Sequence, residues 1–74
     1  MAKGDPRYRA AIQRLADARR QAKLSQEELA EKLGRRQQYV SKYETGERRL
    51  DLIEYIDAAK ALNQDIVQIL KSLE

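Results

Sequence analysis

At 74 residues the chain has room for one domain, since typical domains run to roughly 100–150 residues. Such a chain buries only about 60% of its unfolded surface, which leaves little room for a deep, fully walled substrate pocket. Cysteine and histidine are both absent. That excludes disulfides, thiolate metal sites and histidine-based catalysis, and no cofactor or metal is expected. Fifteen Lys and Arg stand against 12 Asp and Glu, a net charge of +3.

The composition favours helix. Ala, Leu, Arg, Glu, Lys and Gln dominate, while only two valines and one threonine are present, so a sheet lacks its raw material. No run approaches the ~18–20 apolar residues that span a bilayer. No hydrophobic segment follows the N-terminus, and a cytoplasmic protein without membrane attachment is expected. Residues 1–5 are expected to form a short tail and residues 6–74 a single domain.

Five helices are predicted in chain order. Asp5-Pro6 starts the first, with Asp as cap and Pro at the first helical position. Over Arg7 to Gln21, Tyr8, Ile12, Leu15 and Ala16 share one face. Ala22 to Leu24 is read as a connection. Ser25 and Glu28 match a capping box that opens the second helix, which turns Leu29, Ala30 and Leu33 inward and stops at Gly34. The third helix fits Gln37 to Thr45, with Val40 and Tyr43 inward and Gly46 as its stop. Asp51 and Glu54 repeat the cap pattern before a fourth helix ending near Leu62, with Asn63 as left-handed terminator. Asp65 caps a fifth, with Ile66, Ile69, Leu70 and Leu73 apolar.

The fourth helix is apolar nearly all round, apart from a stripe of Glu54, Asp57 and Lys60. Such a helix must be buried on more than one side, and self-association through helix four or five is one outlet. Ile53, Ile56, Ile66, Ile69 and Leu73 are the candidate contacts with a second copy.

Helices two and three are each about eight residues long and are joined by a turn of three or four, which is helix-turn-helix spacing over about 25–45. The second of the pair can enter a major groove. Gln37 and Gln38 can pair bidentately with adenine, Ser41 can reach a base or phosphate, and Lys42 a guanine or phosphate. These four share one outward side, and Val40, Tyr43 and Glu44 turn away from it. Arg35 and Arg36, in the turn, are candidate phosphate contacts, and Tyr39 is expected along the phosphate backbone. Arg7, Arg9, Arg14 and Arg20 are read as a solvated face of helix one. Residues 1–49 hold 13 basic and 7 acidic residues, a surplus of +6, while residues 50–74 hold 2 and 5, a balance of −3. A polyanion is therefore expected at the N-terminal two-thirds.

The run from Leu24 to Gly34, LSQEELAEKLG, followed by QQYVSKYETG from Gln37 to Gly46, resembles the lambda-repressor-like, XRE-type family of helix-turn-helix regulators. The resemblance covers roughly residues 8 to 73. It implies an all-α fold: a compact bundle of four or five helices that binds operator DNA as a twofold homodimer and regulates transcription. It implies a phosphate-gripping role for Gln26, which in the family often braces a helix-three glutamine. Base-reading or groove-facing roles fall to Gln37, Gln38, Ser41 and Lys42. Arg19 and Glu44 match a partly buried salt bridge between helices one and three, and Arg48 and Arg49 a loop that approaches the DNA backbone. The chain departs from the pattern at Arg36, where Ser, Thr or Pro is usual, at Gln64, a usually apolar position, and at Glu47, an acid in the basic loop.

A repressor is expected. Rival readings keep the fold and change the biology: a restriction–modification controller, or an antitoxin that binds a cognate toxin as well as its operator. A helical interaction module that does not bind DNA is a further rival. A small enzyme has no positive feature, because acidic pairs such as Glu27/Glu31 are unaccompanied by pocket residues.

Overall fold

The computed structural model describes residues 5–74. Five helices follow in order: α1 Pro6–Gln21, α2 Gln26–Lys32, α3 Gln38–Thr45, α4 Leu52–Ala61 and α5 Ile66–Ser72, with no strand among the described residues. Of the expected tail, residues 1–4 lie outside the described residues. Asp5 caps α1 by accepting from the Arg7 backbone N–H at 2.9 Å.

The starts are set by side-chain caps, which satisfy amides that a helix leaves unpaired. Ser25 Oγ accepts from the Glu28 N–H at 2.9 Å, and Glu28 Oε1 accepts from the Ser25 N–H at 2.8 Å. Asp51 and Glu54 form the same reciprocal pair at 2.8 and 3.0 Å. Asp65 Oδ1 accepts from the Val67 N–H. α3 differs: Gln37 gives it no side-chain cap, and the helix starts one residue later than predicted.

Three ends share one device. Lys23, Gly34 and Asn63 have φ of +60°, +67° and +57°, so the chain reverses and the next amide reaches back into the helix. Leu24 N–H donates to Arg19 O, Arg35 N–H to Ala30 O and Gln64 N–H to Ala59 O, the long bond of a Schellman motif. Gly34 and Asn63 suit the left-handed conformation, but Lys23 pays a steric cost there.

The core gathers Ile12, Leu15, Leu29, Ala30, Val40, Tyr43, Ala58, Ala59, Leu62 and Ile69, all nearly inaccessible to solvent. α3 packs chiefly on α2 and then on α1. Tyr8 and Tyr55 stitch α1 to α4 and its leading loop: the Leu50 N–H donates to Tyr8 Oη at 3.1 Å, and Tyr55 Oη donates to Ala11 O at 2.7 Å. Arg14, read from sequence as solvated, donates to Ser72 Oγ at 2.9 Å and ties α1 to α5.

One expectation is corrected. Ile69, a candidate contact with a second copy, is 1% exposed and belongs to the core. α5 carries apolar residues on two adjoining sides, and Ile69 lies on the side that packs inward. On the single chain α4 leaves Leu52 and Ile53 exposed, and α5 leaves Val67 and Leu70 exposed. Ile56, Ile66 and Leu73 are half-buried.

Candidate nucleic-acid interface

Of the four residues expected to read bases, Gln38, Ser41 and Lys42 lie on α3 and Gln37 immediately precedes it; Gln38 and Lys42 line one concavity, while Gln37 lies in another with Glu27, Glu28, Glu31 and Arg35. Gln37, Gln38 and Lys42 are exposed and Ser41 is half-buried. Among the described residues, none of these four side chains makes a hydrogen bond. An uncapped helix start leaves Gln37 and Gln38 at the leading end, where side chains reach base edges when a helix enters a groove.

α3 is fixed from behind. Arg19 Nε and Nη2 donate to Glu44 Oε2 and Oε1 at 2.8 and 3.1 Å, and Arg19 Nη1 donates to Leu24 O at 2.9 Å. Both side chains are almost wholly buried. Gln26 Nε2 adds a bond to Glu44 Oε1 at 2.9 Å. Gln26 thus braces a helix-three glutamate where the resemblance implied a glutamine. One acid on α3 therefore ties α1 and α2 to it.

Tyr43 is inaccessible, and burial pushes its hydroxyl's pKa up. Among the described residues its oxygen has no hydrogen-bond partner. Tyr39 meets it edge-on with ring centroids 5.6 Å apart. Tyr39 is only 9% exposed, so its ring is not laid along the surface as expected for a backbone contact. It is a platform instead: the guanidiniums of Arg35 and Arg48 lie over it at 4.7 and 4.9 Å from its centroid.

Beside α3 opens a concavity of about 620 Å³, lined by Gly34, Arg35, Arg36, Gln38, Tyr39, Lys42 and Arg48. It holds four cations and no acid in its lining. Arg35, Arg36, Arg48 and Lys42, picked from separate stretches of sequence, thus converge on one groove. Arg49 stands apart from them. Its guanidinium covers the Tyr8 ring at 3.9 Å, in a separate hollow with Arg9, Thr45 and Gly46. Arg9 comes so close that a Cβ on Gly46 would lie 3.1 Å from its Nη1.

Sequence reasoning missed a second role for Glu54. Its capping spacing and its place in the polar stripe of the fourth helix point to no such role. Its carboxylate also accepts from Arg48 Nη1 and Nη2 at 3.1 and 2.9 Å and from Arg35 Nη2 at 3.4 Å. The Arg48 guanidinium and the Asp51 amide, with Arg35 alongside, hold its pKa down to about 2. The sequence offered no signal for this, because the loop, not a helical repeat, brings Arg48 back to Glu54.

No group of three or more metal-capable side chains occurs among the described residues, and no helix of the described chain is long and apolar enough to cross a membrane.

Two short helices packed together across a short turn, the second exposed on its outer side and bordered by cations, define a helix-turn-helix domain of the DNA-binding class. The helix-turn-helix family model HTH_3 matches residues 15–69. A solved XRE-family like protein from Pseudomonas syringae pv. tomato str. DC3000 is similar at 45% sequence identity, over 90% of this chain and 84% of that one, with a TM-score of 0.83. Among curated proteins none matches. The chain belongs to the XRE-type helix-turn-helix family, a family of DNA-binding transcription regulators rather than of enzymes.

Proposed function

We propose that this protein is a sequence-specific reader of double-stranded DNA that acts as a homodimeric repressor on a palindromic operator. The observation that carries it is the exposed side of α3, where Gln38 and Lys42 line a groove together with Arg35, Arg36 and Arg48, and Gln37 stands exposed just before the helix. α3 has eight residues, and a helix with its side chains is about 10–12 Å across, which a major groove about 12 Å wide admits. Gln37, Gln38, Ser41 and Lys42 read bases. Arg35, Arg36 and Arg48 take phosphates beside the helix, Gln26 takes one at the start of α2, and Arg49 takes one from the following loop. Tyr39 acts through the two arginines that lie over its ring.

A single copy makes few base contacts, which leaves it near the non-specific range of roughly 10⁻⁴–10⁻⁶ M. Two copies reading half-sites about one turn, ~34 Å, apart overcome this. The exposed Ile53, with Ile56, Ile66 and Leu73 half-buried around α4 and α5, supplies the surface between them. The acidic balance of residues 50–74 keeps that end away from DNA.

In-vitro selection on random duplexes with the purified protein tests the reading. An enriched, inverted-repeat motif is the expected result. Enrichment without symmetry overturns the dimer, and no enrichment overturns the specific reader. A second reading is favoured by Leu52, Ile53, Val67 and Leu70, which are 67, 63, 53 and 52% exposed. On it, those residues serve a cognate toxin, and the protein is an antitoxin that also binds its operator. Co-purification with the product of an adjoining gene distinguishes the two.

A further inference from the structure

Glu54 raises a question that its capping role leaves open. The third position of a helix needs Glu or Gln to complete a capping box, so the cap alone does not call for a charge. Yet Glu54 brings a full negative charge to the edge of a groove whose lining carries Arg35, Arg36, Lys42 and Arg48. Its side chain is 13% exposed, while those of Arg35 and Arg48 are 41 and 39% exposed. The carboxylate therefore lies behind, and the guanidiniums form the rim that meets solvent.

The contact chemistry is that of phosphate recognition. A carboxylate held by both terminal nitrogens of one arginine, with a second arginine alongside, uses the same donors that would grip a phosphate oxygen. Glu54 thus occupies donors on two of the groove's cations and cancels one of its charges. At the same time it fixes Arg48 against Tyr39, with that guanidinium's remaining N–H groups directed elsewhere.

These two effects act differently on two kinds of complex. Binding to arbitrary DNA is almost wholly electrostatic, driven by the counterions released from phosphates. There, cancelling a charge is a straightforward loss. Binding at a cognate site adds base contacts that fix the docking register, and a pre-ordered arginine then meets a phosphate in a set place without further loss of rotamer freedom. There, ordering offsets the cancelled charge.

We propose that Glu54 is a specificity-determining residue: its carboxylate, paired with Arg35 and Arg48, weakens binding to non-cognate DNA more than binding to the operator. The proposal rests on the DNA-reading function above. Its test is Glu54→Gln, which keeps a side chain able to cap α4 and removes only the charge. Asp57→Asn is the control, because it changes net charge equally at an exposed position on the same helix, outside the groove lining. Affinity is measured across a salt series for a mixed-sequence duplex and for the duplex recovered by selection, with circular-dichroism melts to confirm folding.

The expected result for Glu54→Gln is a roughly three- to tenfold gain on mixed-sequence DNA, with a salt slope steeper by about one. The gain on the selected duplex is smaller, so the ratio between them falls. Asp57→Asn leaves that ratio unchanged. Equal gains on both duplexes, a loss on the mixed-sequence duplex, or the same fall in ratio from Asp57→Asn overturns the assignment to Glu54 and leaves DNA reading intact. Absence of salt-dependent binding by the unaltered protein overturns both.

Discussion

Arg19 and Glu44, 25 positions apart, form a two-pronged ion pair of 2.8 and 3.1 Å in which both side chains are nearly buried. Removing one partner of such a pair strands the other as an uncompensated charge, at a cost of about 3–5 kcal/mol. A small domain has only about 5 kcal/mol or somewhat more to lose. Glu44→Ala is therefore expected to leave the protein close to unfolded at room temperature. The double change Arg19→Met with Glu44→Leu, which removes both charges, should recover most of the stability. Urea denaturation of the three proteins checks this, and a double change as unstable as Glu44→Ala would refute it.

A stabilising change is expected at the end of α1. Lys23 is exposed and holds a φ of +60°, a conformation that costs an L-residue with a side chain about 1 kcal/mol or more. Lys23→Gly removes that cost while keeping both backbone bonds of the turn. The thermal midpoint should rise by roughly 4–8 °C for each kcal/mol gained in a domain of this size. A fall would mean that the lysine side chain contributes a contact of its own.

Tyr43 supplies a third test. Its hydroxyl is buried and has no partner among the described residues, and a buried unsatisfied group costs about 1–3 kcal/mol. Tyr43→Phe keeps the ring and its edge-on contact with Tyr39. Stability is expected to hold or rise by about 1 kcal/mol. A clear loss in chemical denaturation would show that the hydroxyl is satisfied in solution.

The acid limb of stability should be governed in part by Glu54. Its pKa is lowered from 4.5 to about 2. A carboxylate with a depressed folded-state value stabilises fully above its unfolded value, and that stabilisation drains away as pH falls toward the folded one. The unaltered protein should therefore lose stability between pH 4.5 and about 2. Glu54→Gln should show a shallower loss over the same window, with the two melting curves converging at the acid end. Parallel curves would exclude Glu54 as the titrating group.

On DNA, two substitutions should separate along different axes. Gln38→Ala should cost about 1–3 kcal/mol at one base position and relax preference there alone. Arg36→Ala should weaken all sequences alike and lower the salt slope by about one. Competition assays against single-base variants, repeated at several salt concentrations, distinguish the two behaviours. If Gln38→Ala weakens every sequence equally, its role is not base reading.

The helix starts were legible because caps are local. Ser25 with Glu28, and Asp51 with Glu54, are pairs within one turn and need no tertiary context. Gly34, Gly46 and Asn63 were legible as stops for the same reason. Lys23 was not, since nothing in a lysine advertises a left-handed conformation that the neighbouring turn imposes. Apolar periodicity located α5 but could not choose between its two apolar sides, so Ile69 was placed on the surface when it fills the core. The groove was legible only as scattered basic residues. Its floor, Tyr39, and its countercharge, Glu54, become neighbours through the fold of the 46–51 loop, which no spacing along the chain encodes.

Gln37, Gln38 and Lys42 are exposed, whereas the position of α3 is held from its opposite side by Arg19, Glu44 and Gln26. The proposed base-reading residues and the scaffold are thus different, although Gln26 is both a brace and a proposed phosphate contact. Substitutions that retune which bases are preferred should therefore pass without jeopardising folding. On the proposed function, a lineage carrying this domain drifts to new operators by altering a handful of side chains, whereas the brace behind the helix changes only when both partners of its ion pair are exchanged together.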